Sequence, residues 1–183
     1  LDIAKNHNQT QEIPSNIEAE QHLLGSVLVN NDIIDEIANI INSEEFYDPR
    51  HVKIYEVIEN LNSKGMIANP ITLKNYFEKN QGLDAVGGVE YLVKLTRFSS
   101  SVKQAQDYAK IVHENFVKRE LIQISHHIKD DTLNSEEDKS SDLIIEDAEK
   151  LLFDLAERGS FSQSFMKFNL ALDQSISMAE QAM

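Results

Sequence analysis

The side chains that most often carry chemistry are present in this chain, but few of them stand at useful spacings. His126 and His127 are adjacent, and neighbours on a helix point about 100° apart, which argues against a shared zinc ion. The only Lys-Ser pair, Lys139-Ser140, has no preceding glycines, which a phosphate-binding loop requires. Gly87-Gly88 could line an anion, although a tight helix entry is the simpler explanation. We therefore predict no catalytic, cofactor or metal site in this chain.

The composition limits the class of protein. The chain has 183 residues, of which 41% are hydrophobic and 26% charged, and these fractions are typical of a globular protein. It has no cysteine, which excludes disulfides and thiolate zinc sites. Its net charge of −14 disfavours tight DNA binding by this chain alone, because such affinity depends largely on lysine and arginine. No apolar run approaches the roughly 20 residues of a membrane span, so we expect a soluble, cytoplasmic protein.

The elements that must position these residues are all predicted to be helices. Ser15 and Glu18 stand in the relation of a capping box, and the apolar residues that follow at helical spacing predict a first helix. Further helix starts are predicted from short polar turns, Asx-Pro pairs and a glycine pair, at Asn30-Asn31-Asp32, Asp48-Pro49, Asn69-Pro70 and Gly87-Gly88. After a flexible tail over residues 1–13, residues 14–100 are predicted to form a compact bundle of about five short helices.

Residues 101–158 are predicted to form a long antiparallel helical hairpin. Its first helix is predicted over residues 102–129, which contain no glycine or proline and place apolar residues on two faces. After a polar turn, the second helix repeats a 4-3-4 apolar spacing through Ile144, Ala148, Leu151 and Leu155. Residues 130–158 carry 11 acidic and 3 basic side chains, which is typical of a solvated helix face; an acidic docking site is the alternative.

Residues 159–183 are predicted to be a linker followed by an amphipathic linker helix. Serine and glycine dominate residues 159–164, and an apolar stripe that includes Leu172 and Ile176 is still running where the sequence ends. A helix whose apolar stripe has no local partner is expected to dock on another body. This pattern favours a piece of a larger protein.

Five strings of this sequence, in order and at matching spacing, resemble the N-terminal domain of bacterial DnaB-type replicative DNA helicases. They lie between residues 14 and 158: the run from Pro14 to Val27; Glu45-Phe46-Tyr47 with His51 and Ile54-Tyr55; Pro70-Ile71-Thr72-Leu73; Gly87-Gly88-Val89-Glu90-Tyr91-Leu92; and Tyr108-Ala109-Lys110-Ile111-Val112 with Arg119. Residues 159–183 resemble the interdomain linker and linker helix of the family. Asn69 and the Lys103-Gln104 segment depart from the family pattern.

The resemblance implies that this chain is a non-catalytic part of an ATP-driven helicase that unwinds the replication fork. The ATPase domain, which would bind ATP and Mg²⁺, is absent from the sequence. In this family the N-terminal domains pair into dimers, and three dimers form the collar of a hexamer. The collar receives the C-terminal domain of primase and, in some members, a loader protein.

The same resemblance implies three contact surfaces, each expected to use a small set of residues. The surface that faces primase is expected to include Glu18, Tyr91, Ile122 and Ile128. Self-association is expected to use Phe116, Leu121, Ile124, Ile144, Leu151 and Leu155. Docking on the ATPase ring is expected to use Leu172 and Ile176. For the apolar residues, ordinary core packing is the alternative.

Two other classes of protein remain open at this point. A free-standing helical adaptor or helicase-loader-like protein would show the same composition and helix pattern. An enzyme with an unfamiliar site would require an ordered metal or ligand among the helices.

Overall fold

The computed structural model describes residues 12–134 and 140–158, and every regular element within these two ranges is helical. Its α-helices, in chain order, are α1 (Ile17–Val29), α2 (Ile33–Ile37), α3 (Pro49–Ser63), α4 (Pro70–Lys79), α5 (Gly88–Thr96), α6 (Val102–Asn134) and α7 (residues 141–158). The predicted all-α fold, with short helices followed by a long hairpin, is confirmed. The predicted linker helix lies outside the described residues.

Two of the predicted helix starts follow directly from local sequence signals. The Asp48 side chain accepts a backbone hydrogen bond at 2.8 Å, and Pro49 begins α3 with its ring-fixed φ. Asn69 and Thr72 form a reciprocal capping box at the start of α4. These caps satisfy backbone donors that would otherwise lack partners, so both helices begin where the sequence predicts.

The predicted capping box at Ser15 and Glu18 is wrong by one residue. Asn16 is the N-cap, and its side-chain oxygen accepts from the N–H of Ala19 at 2.9 Å. Asparagine caps a helix as well as serine does, so residue type alone did not separate the two positions. Glu18 consequently occupies the second helical position, where it still interacts favourably with the helix dipole.

The main hydrophobic core lies between α1, α3, α5 and the first half of α6. Leu23 and Leu24 of α1, Ile54 and Ile58 of α3, and Leu95 of α5 are all fully buried in it. Burial of each such side chain contributes about 1.5–3 kcal/mol. This core fixes the relative positions of the four helices that carry the polar groups described below.

Helix α6 changes its packing partner along its length. Ala105, Ala109 and Val112 are buried in the main core, and the small alanines let α1 lie close to α6. Ile124, by contrast, is buried outside that core. The change of face agrees with the predicted shift between two apolar faces. It means that the second half of α6 has a packing partner other than the main core.

Helix α6 is also longer than predicted. The prediction ended it at residue 129 and placed a turn over residues 130–140, whereas the helix continues to Asn134. Its 33 residues span about 50 Å at about 1.5 Å per residue. The extra turn is polar but lacks glycine and proline, and the Thr132 hydroxyl donates back to the Ile128 carbonyl at 2.7 Å. Polarity alone therefore did not end the helix.

The hairpin is recognised from matching burial along its two helices. On α7, Leu155 is buried and Ile144, Ala148 and Leu151 are half-buried, while the residues between them are exposed. Because the connection from residue 134 to residue 141 is short, we infer that α7 returns antiparallel along α6, which would place Leu151 roughly level with Ile124. The covered positions of both helices then face each other and form one seam.

Helices α1 and α5 cross at a glycine. A Cβ atom added at Gly25 would stand 2.1 Å from the carbonyl oxygen of Leu95 and 3.1 Å from its carbonyl carbon. Both of these atoms belong to the backbone, so no side-chain rotation can make room. Only glycine allows the two helices to approach this closely.

We predict that Gly25→Ala lowers the free energy of unfolding by about 3 kcal/mol, because α5 must shift its backbone to admit the methyl group. Urea unfolding followed by circular dichroism measures the change. Gly82→Ala is the matched control, since its added Cβ would meet the Phe77 ring at an ordinary 3.4 Å. Equal unfolding midpoints for the two variants would show that the crossing is not a constraint.

Candidate interaction site

A chain of hydrogen bonds runs through the globule from α1 to α5. The Glu20 carboxylate, 1% exposed, accepts from the N–H of Tyr47 at 2.7 Å, the N–H of Asp48 at 3.3 Å and Nδ1 of His51 at 2.6 Å. Nε2 of His51 lies 2.6 Å from the Tyr91 hydroxyl. Since a carboxylate only accepts, Nδ1 donates to it, and Nε2 is the ring nitrogen that meets the tyrosine.

Local structure explains how these side chains meet. Glu20 precedes Leu23 and Leu24 by three and four residues, so it lies on the buried face of α1. His51 stands in the first turn of α3, whose start is fixed by the Asp48 cap. Tyr91 projects from α5, which crosses α1 at the glycine contact. Three elements thus converge on one buried imidazole.

An arginine covers the surface end of this hydrogen-bond network. The Arg50 guanidinium lies 4.7 Å from the centroid of the Tyr91 ring, and its Nε donates to both oxygens of Asp48 at 3.0 and 3.1 Å. The hydrogen bond from Arg50 holds the pKa of Asp48 below its ordinary value. Burial raises the pKa of the Tyr91 hydroxyl, which therefore stays neutral and also accepts from Gln21 at 3.3 Å.

A second arginine ties α6 to two segments of the globule. Arg119 donates to the carbonyl oxygens of Pro14 at 2.9 Å and Glu45 at 2.6 Å, and it stacks on the rings of Tyr47 and Phe116. Burial lowers the pKa of its guanidinium. The planar fork of arginine suits two carbonyls at once, so this residue orients the hairpin relative to the globule.

A histidine–glutamate pair supports the same junction. Nδ1 of His113 on α6 lies 2.7 Å from the carboxylate of Glu45, which is 6% exposed. The hydrogen bond with Glu45 raises the pKa of His113 above its ordinary value of 6.5, and partial burial opposes the rise. The pair therefore holds a charged histidine more readily than an isolated side chain would.

The order of carboxylate, imidazole and hydroxyl in Glu20, His51 and Tyr91 has the form of a hydrolase triad. Here, however, the raised pKa of Tyr91 disfavours the nucleophilic phenolate. The polar side-chain groups of Glu20, His51 and Tyr91 each have a partner inside the globule. Within residues 12–134 and 140–158, no three histidine or acidic side chains are grouped to hold a metal. The arrangement is suited to holding helices together.

The sequence analysis did not identify this network, because it gave Glu20 no role of its own and named His51 only as part of the family resemblance. One signal was available: Glu20 falls on the apolar face of α1 at the spacing of its buried leucines. An acid in such a position needs a buried partner. Its partner is 31 residues away, and no spacing rule connects the two positions.

The hairpin exposes apolar side chains on one side of its seam. Leu121 of α6 is 44% exposed, and Ile145 and Leu152 of α7 are 57% and 43% exposed. These residues are displaced by about 60–100° from the seam in the same rotational sense on both helices. Because the helices run antiparallel, the three side chains fall on the same side. We call this set the flank face.

The residues predicted to face primase are not brought into one patch. Glu18 is exposed and Tyr91 half-buried on the globule, whereas Ile122 is exposed and Ile128 half-buried on α6. The last two lie about 120° apart around the helix. Glu18 and Tyr91 belong to elements that pack together, α1 and α5. The primase role of all four residues stays a prediction.

The residues predicted for self-association occupy two kinds of position. Leu121 is exposed on the flank face, whereas Ile124 and Leu155 are buried within the seam of a single chain. The remaining three are half-buried: Phe116, Ile144 and Leu151. Leu172 and Ile176, predicted to dock on an ATPase ring, lie outside the described residues. None of these roles is tested by the geometry, and they stay predictions.

No helix in the part of the chain that the structure describes is long and apolar enough to cross a membrane. The described residues combine a polar network closed inside a globule with apolar side chains exposed along a hairpin. These features define a helical interaction domain.

Comparison with known proteins identifies the family. A family model described as the DnaB-like helicase N-terminal domain matches residues 12–114, and the chain belongs to this family. The replicative DNA helicase DnaB of Rickettsia bellii is 39% identical over 171 residues, which cover 93% of this chain and 34% of that protein. The replicative DNA helicase DnaC of Bacillus subtilis is 30% identical over 92% of this chain and 36% of its own length.

Solved structures show the same fold. The N-terminal domain of DnaB helicase from Mycobacterium tuberculosis superposes with a TM-score of 0.73 at 25% identity, over 78% of this chain and 99% of that one. A DnaB-like replicative helicase, whose structure was described together with its interactions with primase, gives a TM-score of 0.63 at 24% identity over 84% of this chain. The chain spans about a third (35%) of the length of the first curated relatives it matches.

We predict that Glu20→Gln lowers the free energy of unfolding by about 2–3 kcal/mol. The amide keeps the shape of the side chain, but its NH₂ group replaces an acceptor and leaves a buried donor without a partner. Urea unfolding at neutral pH measures the loss. Glu18→Gln, an exposed change in the same turn of α1, is the control and is expected to stay within about 0.5 kcal/mol. A midpoint like that of the control would contradict a structural role for the network.

We predict that His113 stabilises the fold more at low pH than at high pH. Its pKa is raised in the folded state, so its contribution is fully present below the unfolded pKa and is lost as the pH rises through the folded value. The stability difference between the wild type and His113→Gln should therefore be larger near pH 6 than near pH 8.5. Urea titrations at several pH values measure it. A difference that does not change with pH would exclude this pair as its source.

Proposed function

We propose that this chain is the assembly and primase-contacting domain of a cytoplasmic replicative DNA helicase. Membership of the DnaB-like N-terminal domain family supports this proposal, and the replicative helicases it resembles favour it over a free-standing adaptor. The remaining part of the full-length protein would bind ATP and Mg²⁺ and unwind DNA. With a net charge of −14, this part would contribute contacts between proteins and not tight DNA binding.

The observation that carries the assembly role is the flank face. Leu121, Ile145 and Leu152 stand beside a seam already closed by Ile124 and Leu155, so the hairpin can form within one chain and still offer apolar surface. A second hairpin laid against this face would bury all three side chains and give a four-helix contact. We propose that such a pairing forms dimers and that three dimers form a hexameric collar.

The primase-facing surface is proposed to centre on Tyr91. Its ring is held from inside by His51 and covered from outside by Arg50, and tyrosine and arginine are the residues most enriched in binding hot spots. Glu18 extends the surface along α1, and Ile122 and Ile128, which lie apart from it on α6, would supply separate contacts on the hairpin. The interactions with primase described for a related helicase structure support this partner. A helicase loader is a further proposed partner.

Leu172 and Ile176 are proposed to dock on the ATPase domain of a neighbouring subunit. The support for this role is the apolar stripe of the sequence, together with the resemblance of residues 159–183 to the linker helix of the family. The stripe would place both side chains on one face of a helix.

Sedimentation of the 183-residue chain tests the assembly role. We predict that the wild type forms dimers or larger species and that Leu152→Glu weakens their association at least about tenfold, because a charge would be buried in an apolar contact. Val29→Glu, an equally drastic change at a 60% exposed site on the globule, is the control. A wild type that stays monomeric at high concentration would contradict the proposal.

Titration with the C-terminal domain of primase gives the second readout of the same experiment. Tyr91→Ala is expected to weaken this binding by at least about tenfold, as for a hot-spot residue. Leu152→Glu monomers are expected to bind primase as the wild type does, because the surface on the globule is unchanged. Absence of binding by the wild type would contradict the primase role and leave the assembly role standing.

A further inference from the structure

Helix α5 turns one face away from the core, and this face lines an open depression of about 420 Å³. The described residues that line it all belong to α5: Val89, Glu90, Val93, Lys94 and Arg97. They lie on the side of the helix opposite to Leu92 and Leu95, which are fully buried. We call this set the outer face of α5. It combines apolar and basic side chains, unlike a helix surface that is polar throughout.

The apolar part of the outer face is a pair of valines one turn apart. Val93 is 43% exposed and Val89 is half-buried, and their spacing of four residues places them on the same side of the helix. Neither belongs to the main hydrophobic core. A partner side chain laid between them would remove apolar surface from water, and the β-branched valines would lose little side-chain entropy.

The basic part lies at the C-terminal end of α5. Within the residues that the structure describes, neither Lys94 nor Arg97 forms an ion pair, although Glu90 stands only four residues before Lys94. Arg50 and Lys118, by contrast, each pair with an acid. Basic residues near a helix C-terminus interact favourably with the helix dipole, which explains their position but leaves their outer side open to an acidic partner.

The outer face is basic although the chain as a whole is strongly acidic. Residues 85–106 carry three basic side chains and one acidic one, whereas the whole chain carries 17 basic and 31 acidic ones. Most of the surface would repel an acidic partner, and this face would attract it over a short range, because salt screens charges beyond about 8–10 Å. Charge complementarity therefore selects the place where such a partner docks.

We infer that the outer face of α5 docks an acidic amphipathic helix of another protein. The apolar side chains of that helix would lie over Val89 and Val93. Its carboxylates would lie over Lys94 and Arg97, where a guanidinium can hold a carboxylate through two parallel hydrogen bonds. Glu90 borders the valines and would repel acids from that end, so the acids of the partner are expected at the C-terminal end of α5.

This surface is separate from the one proposed for primase. Tyr91 lies roughly 120–160° around α5 from Arg97 and Val93, so one helix can carry both contacts. The outer face is also a poor fit for single-stranded nucleic acid. Such ligands are held in basic grooves by aromatic side chains that stack on the bases, and none of the described lining residues is aromatic. A protein partner is therefore favoured.

Fluorescence anisotropy of the 183-residue chain with a labelled model peptide tests this docking. The probe is a fluorescein-labelled peptide of two Leu-Glu-Glu-Leu-Leu-Glu-Glu repeats, and we expect the wild type to bind it. Arg97→Glu should weaken binding at least about tenfold, because it repels the acids, and Val93→Ser about fivefold, because it removes apolar contact. Lys64→Glu, the same charge change at the exposed end of α3, is the control and should weaken binding less than about twofold.

Absence of binding by the wild type at peptide concentrations up to about 1 mM would overturn the inference. Equal losses in Arg97→Glu and Lys64→Glu would also overturn it, because they would show attraction to net charge alone. Wild-type affinity in Val93→Ser would exclude the apolar contact. Displacement of the peptide by a thymine oligonucleotide would identify a nucleic-acid site in place of a protein-docking one. Urea unfolding of each variant verifies that the fold is retained.

Discussion

The Glu20 carboxylate stands where α1, the start of α3 and the network to α5 converge, and at 1% exposure it has no access to water. It must therefore keep its protein donors, which are two backbone N–H groups and the His51 ring. Removing one partner of a buried ionic group typically costs about 3–5 kcal/mol, whereas apolar packing tolerates small shifts. The carboxylate consequently selects one arrangement of these elements among those that the apolar core alone would allow.

The position of Tyr91 follows from that constraint. Its hydroxyl is held through His51, so the surface under Arg50 is built on a buried frame and not on a mobile loop. Arg119 then holds α6 in a fixed position on the globule by donating to two of its backbone carbonyls. The direction of the hairpin is thereby linked to the same frame, although the hairpin shares little of the main core.

Features that depend on residues close together in the sequence could be predicted, whereas contacts between distant residues could not. The Asp48-Pro49 and Asn69-Pro70 starts could be predicted because a cap and the backbone donors it satisfies lie within three residues. The hairpin could be predicted because apolar periodicity reports which face is covered. The choice of Asn16 over Ser15 as the N-cap could not be predicted, since asparagine and serine cap a helix equally well. The Glu20–His51 pair could not be predicted, because only the assembled fold brings the two residues together. The primase and self-association residues came from resemblance, and their roles remain proposals.

The net charge of −14 bears on how copies of this chain can associate. Residues 130–158 hold 11 acids and 3 basic residues, so two hairpins approaching each other meet a general repulsion. Apolar contacts such as those proposed for Leu121, Ile145 and Leu152 must supply most of the favourable free energy, since an exposed ion pair contributes only about 0.2–1 kcal/mol. Added salt would screen this repulsion and so strengthen association. The apolar face would therefore set the affinity between copies, and the acidic residues would select among alignments by disfavouring those that bring like charges together.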